Sequence, residues 1–144
     1  MLDVRFSPLR EEVIELPDGI TLINDCYNAN PASMRAALAH LTTFAGERRK
    51  VAVLGGMAEL GDEAIAYHRE IGAEIGKSGV QAIVAVGPLA AEYLVPAPGI
   101  EVVRVDAAEE AGDALRAVMR PGDVVLVKGS RSVGLEAVAA KLRP

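Results

Sequence analysis

With 144 residues, 51% of them hydrophobic and 24% charged, the chain has the size and composition of one globular domain, without a disordered or collagen-like bias. A net charge of −5 with the basic residues scattered repels nucleic acid and anionic membranes, and 3% aromatics without tryptophan provide no stacking platform for single strands. The single cysteine, Cys26, excludes an internal disulfide and points to a reduced, cytoplasmic setting, while the charged opening MLDVRFSPLREE and the absence of any span-length apolar run argue against signal peptide and membrane helix.

Two short β-favouring segments, Arg10 to Leu16 and Ile20 to Asp25, are joined by Pro17-Asp18-Gly19 and read as a hairpin. Met1 to Pro8 reads as a linker, with the domain occupying residues 9–144. After the stretch DCYNANP, Pro31 sits where a first helical turn tolerates it. Met34, Ala37, Leu38, Leu41 and Ala45 follow at helical spacing, ending near Gly46. Lys50 to Leu54 (KVAVL) is a continuous aliphatic run of the kind a strand covered on both faces needs.

Asp62 to Lys77 predicts a second helix with Ile65, His68, Ile71, Gly72 and Ile75 on its apolar stripe, and Ala82 to Val86 a further buried strand. A short helix at Leu89 to Tyr93, a Pro-rich turn, a strand at Val102 to Val105, a helix from Ala107 to Met119 and a strand at Val124 to Val127 continue the rhythm. A last helix runs from near Gly134 to about Leu142. Apolar strands alternating with helices imply a Rossmann-like α/β fold: a mainly parallel sheet with helices on both faces and one antiparallel strand from the N-terminal hairpin.

In such sheets ligands gather at the carboxyl ends of the strands. Three loops there carry polar or glycine-rich sequence, DCYNANP, GGMAELG and KGSRSVG, and are expected to share one edge. Asn28 and Asn30 offer amide donors and acceptors suited to a nucleotide, Asp25 could take a ribose hydroxyl and Tyr27 could lie against a ring. The plainer alternative is that Asp25 and Asn30 turn the chain into the Pro31 helix and cap it.

Lys128, Ser130 and Arg131 lie between a strand and a helix, where cationic heads, a hydroxyl and free amides favour an anion, carboxylate or phosphate. The alternative is a solvated basic turn. The GxxxxGK[ST] spacing of a phosphate-binding P-loop is missing, and so is GxGxxG. Glu59 is a candidate partner for an amine. His68, on an apolar stripe, reads as a satisfied structural histidine before a catalytic one, and His40 falls off its helix's stripe and reads as exposed. Cys26 has no base beside it, and no metal-ligand spacing is found.

DCYNANPASMRAAL, VAVLGGMAELG, YHREIG and VLVKGSR, in this order, strongly resemble the C-terminal domain of the Mur ligases of peptidoglycan synthesis, from about Arg5 to Leu142 and nearest to the branch that adds D-alanyl-D-alanine. The resemblance implies an ATP-dependent ligase that activates the carboxylate of UDP-N-acetylmuramoyl-tripeptide as an acyl phosphate for attack by the dipeptide amine. ATP and Mg2+ are then held mainly by a central domain absent from this chain, and the N-terminal and central domains are its partners. It makes Asp25, Tyr27, Asn28, Asn30 and Pro31 nucleotide-facing and places Lys128, Ser130 and Arg131 near D-alanyl-D-alanine or the acyl phosphate, with no complete catalytic set in the chain alone. Two positions depart from the family: Asn24 stands where a second aspartate is frequent, and Gly56 where the family reads GDM. A stand-alone nucleotide-binding or regulatory module is the alternative, and a purely structural interaction domain leaves the three polar loops unexplained.

Overall fold

The computed structural model describes residues 4–6, 11–25, 29–93, 99–130 and 133–142. The hairpin forms as β2 (Glu12–Glu15) and β3 (Thr21–Asp25), turned by a 3-10 segment at Pro17–Gly19 in which Asp18 takes a left-handed φ of 66°. A strand that the sequence reading did not contain, β1 (Val4–Phe6), pairs with β2. The remaining elements are α1 (Pro31–Ala45), β4 (Lys50–Gly55), α2 (Ala64–Lys77), β5 (Val80–Val86), β6 (Glu101–Val105), α3 (Ala108–Val118), β7 (Val124–Lys128) and α4 (Glu136–Leu142). Short 3-10 turns at Gly61–Glu63 and Leu89–Tyr93 precede α2 and follow β5. The Pro-rich turn expected before β6 falls on residues 94–98, outside the described residues.

The sheet has seven strands in the order β1-β2-β3-β7-β4-β5-β6. Because β2 runs antiparallel to both its neighbours and every other pairing is parallel, β2 is the one antiparallel strand, as the hairpin requires. The continuous apolar runs follow from the layering. Along β4, Val51 and Val53 face a core shared with Leu115, Val138 and Leu142, whereas Ala52 and Leu54 face one shared with Met34, Leu41 and Ile71. Helices α3 and α4 therefore cover one face and α1 and α2 the other, and each fully buried Leu, Ile or Val contributes about 1.5–3 kcal/mol.

Two expectations are corrected. Ile65, placed on the buried stripe of the second helix, is 49% exposed. It occupies the first turn of α2 at the rim of the stripe formed by His68, Ile71, Gly72 and Ile75, all of which are buried. His40, read as exposed, is largely covered: its Nδ1 meets the carboxylate of Glu11, which is itself fully buried, and its ring stands edge-on to Phe44. Glu11 lies just before β2, so no pattern within the helix could reveal this partner.

Candidate functional site at the carboxyl edge of the sheet

The strand order puts β7 between β3 and β4, and this brings the three polar loops to one edge. In register, Lys128 at the end of β7 stands opposite Asp25 at the end of β3 and opposite Leu54 of β4. The Ser130 amide donates to the Gly56 carbonyl at 3.0 Å, which ties the loop after β7 to the loop after β4. Gly129 permits that approach: a Cβ there would lie 2.9 Å from the Gly55 Cα and 2.8 Å from Leu135, closer than real side chains come.

Asp25 and Lys128 form the charged centre of this edge. The Lys128 ammonium donates to Asp25 Oδ2 at 2.7 Å, with the lysine side chain 1% exposed and the aspartate 18%. Lys128 is thus turned inward onto a carboxylate, and its charge is balanced before any ligand arrives. Ser130 is also buried.

Asn30 takes the capping role. Its Oδ1 accepts from the Ser33 amide at 2.8 Å, and its own amide donates to Ser33 Oγ at 3.0 Å, a reciprocal capping box with Pro31 in the first helical turn. The side-chain NH2 group takes no part in this cap. Tyr27, Asn28 and Arg131 lie outside the described residues, as does Cys26.

The loop after β4 is held from below. His68 is fully buried; its Nε2 accepts from the Met57 amide at 2.8 Å and its Nδ1 contacts the Ala64 carbonyl at 2.6 Å. These partners fix the neutral tautomer with the proton on Nδ1. Tyr93 packs 5.0 Å from the His68 ring and donates its hydroxyl to the Gly55 carbonyl at 3.0 Å. Burial pushes that phenol far above its usual range, so it serves as a neutral donor. Glu59 is exposed with a left-handed φ of 61°, a conformation costing a non-glycine residue about 1 kcal/mol.

The two family departures have local reasons. The Asn24 amide donates to Glu12 at 3.0 Å across the hairpin, where an aspartate would face a like charge. At Gly56, a Cβ would come within 3.0 Å of the Leu89 Cβ and 3.4 Å of His68 Nε2, so a side chain there requires Leu89 to move. A mainly apolar pocket of about 200 Å³ opens beside these loops, lined by Gly56, Met57, Val86, Leu89, Ser130 and Val133. A larger space of about 530 Å³ lies in the groove between α1 and α2, away from the strand ends. Among the described residues no three His, Cys, Asp or Glu side chains gather to hold a metal ion, and no helix is long and apolar enough to cross a membrane.

A mainly parallel sheet with helices on both faces, whose central strands end in an acidic–basic pair beside a capped helix start and glycine-rich turns, defines a Rossmann-like α/β domain. Residues 9–131 match the family model described as Mur ligase, glutamate ligase domain, and the chain belongs to that family. It is similar to the UDP-N-acetylmuramoyl-tripeptide–D-alanyl-D-alanine ligase of Mycobacterium tuberculosis, 40% identical over 158 residues covering 92% of this chain and 30% of the relative. The Bacillus subtilis ligase of the same name is 36% identical over 143 residues, covering 96% of this chain and 31% of the relative. Among solved structures, the MurF ligase of Thermotoga maritima in complex with ADP matches with a TM-score of 0.79 and 28% identity, over 96% of this chain and 31% of that one. The chain therefore spans about 30% of the length of the curated relatives it matches.

Proposed function

We propose that this chain is the C-terminal domain of an ATP-dependent ligase that adds D-alanyl-D-alanine to UDP-N-acetylmuramoyl-tripeptide, a cytoplasmic step of peptidoglycan synthesis and hence of cell shape and division. The observation that carries this reading is identity of 36–40% to ligases of that one name over more than nine-tenths of the chain. ATP would convert the tripeptide's terminal carboxylate to an acyl phosphate. The dipeptide amine then attacks the acyl carbon, the C–N bond forms, the C–O bond to phosphate breaks, and the amine gives up a proton. The loop carrying Asp25, Tyr27, Asn28, Asn30 and Pro31 faces the nucleotide, with the Asp25 carboxylate suited to a ribose hydroxyl. The loop carrying Lys128, Ser130 and Arg131 faces the dipeptide carboxylate or the acyl phosphate. Mg2+ would be held by the central domain, and residues 1–8, whose Val4–Phe6 form β1 of this sheet and so are more than a linker, would lead from it.

The test is a chimera in which this chain replaces the matching segment of the Bacillus subtilis ligase. Phosphate release that requires both tripeptide and dipeptide is expected, and a folded chimera without turnover would overturn the reading. The chain alone, lacking a phosphate cradle, should release no phosphate. It should also bind ATP weakly, because adenine and ribose contacts alone leave little to offset immobilisation of the ligand. Titration calorimetry giving a dissociation constant of about 1 μM or tighter would favour a self-sufficient nucleotide-binding module instead.

A further inference from the structure

We propose that Lys128 is a positioning residue that acts through Asp25: the pair fastens the loop after β3 to the loop after β7, so that the nucleotide-facing and dipeptide-facing loops are set together. The inference rests on the ligase reading above and refines it, since residue type and loop position alone cast Lys128 as a direct anion ligand.

Three observations support it. First, the two residues stand opposite each other in register at the last paired position of neighbouring parallel strands, so the short Asp25 side chain is already aimed at the lysine. Second, exposure is unequal. Lys128 is 1% exposed with its ammonium 2.7 Å from Asp25 Oδ2, whereas Asp25 keeps 18% of its side chain open. Of the two, Asp25 is the one a ligand can reach. Third, the linkage continues, because two residues beyond Lys128 the Ser130 amide is bonded to Gly56 on the third loop. A buried cation is costly without its counter-charge, so Lys128 holds Asp25 wherever β7 places it.

A direct ligand and a positioning residue differ in kinetics. In the chimera, Asp25→Asn and Lys128→Met are made singly and together; both changes nearly conserve size. Each single change is expected to lower kcat/KM for ATP and for D-alanyl-D-alanine alike, by about ten- to hundredfold, the loss typical of one charge-assisted hydrogen bond. The double variant should fall within about threefold of the worse single one, because the second change removes nothing further. It should also melt above Asp25→Asn, since the buried cation that Asp25→Asn deprives of its carboxylate is then gone too.

Losses that multiply, or a Lys128→Met variant that raises only the KM for the dipeptide, would overturn the proposal. So would variants that melt lower yet keep both Michaelis constants, which is the signature of a purely structural pair. An unaltered chimera without turnover would instead defeat the ligase reading, and the pair is then decided on this chain alone. A slowly exchanging 15N-ammonium resonance of Lys128 that disappears in Asp25→Asn sustains the link between loops, and its absence from the native chain overturns it.

Discussion

Gly72→Ala is expected to destabilise the domain by about 3 kcal/mol, at the upper end of what overpacking a core costs. At an unobstructed helical position the same change stabilises by about 0.5–1 kcal/mol, so the sign alone is diagnostic. The obstruction is backbone: a Cβ at Gly72 would lie 2.3 Å from the Tyr93 carbonyl oxygen, 2.8 Å from its carbon and 3.0 Å from its Cα. No rotamer change relieves that contact, and α2 must move away from the 3-10 turn at Leu89–Tyr93. Tyr93 is 1% exposed and its hydroxyl reaches the Gly55 carbonyl, so the displacement also threatens a buried hydrogen bond at the end of β4. Urea unfolding of the two chains side by side measures the effect, and an unchanged or higher midpoint would show that the helix and turn are not in hard contact.

The sequence reveals strands and helices here because the sheet is covered twice. Runs such as Val51 to Leu54 and Val124 to Val127 are apolar at every position, and each side chain finds a core on its own face. The helix stripe from Met34 to Ala45 is legible for the complementary reason, one face buried at a period of 3.6. Strand order is less legible. Nothing local in VVLVK says that it inserts between β3 and β4, yet that insertion brings the three polar loops together.

Long-range polar partners are hidden for the same reason. Lys128 and Asp25 are 103 residues apart, and a lysine following an aliphatic run reads as an anion ligand or a solvated turn residue until its neighbour strand is known. The Glu11–His40 contact likewise joins the approach to β2 to the middle of α1. At Asn30 the structure shows the plainer of the two readings, the side-chain oxygen capping the helix; contact with a nucleotide stays part of the proposal.

His68→Leu separates structure from chemistry at the remaining candidate. Leucine fills much of the ring's volume but cannot accept from the Met57 amide, which lies 2.8 Å from Nε2 beside a residue only 2% exposed. A buried donor left without its acceptor costs its full desolvation, and with the contact to the Ala64 carbonyl also lost the expected destabilisation is about 3 kcal/mol. A catalytic acid or base needs a nitrogen that can reach substrate, whereas both nitrogens of His68 are engaged within a side chain that has no exposed surface. In the chimera, assayed at a temperature where the variant remains folded, kcat should therefore change by less than about tenfold, against the roughly 10²- to 10⁴-fold loss that follows removal of a general acid or base. Melting and steady-state turnover on the same preparation decide between the two roles: a stable but inactive His68→Leu enzyme would make this histidine a participant in the reaction, while an active enzyme with a lowered melting point leaves it as the support beneath the loop after β4.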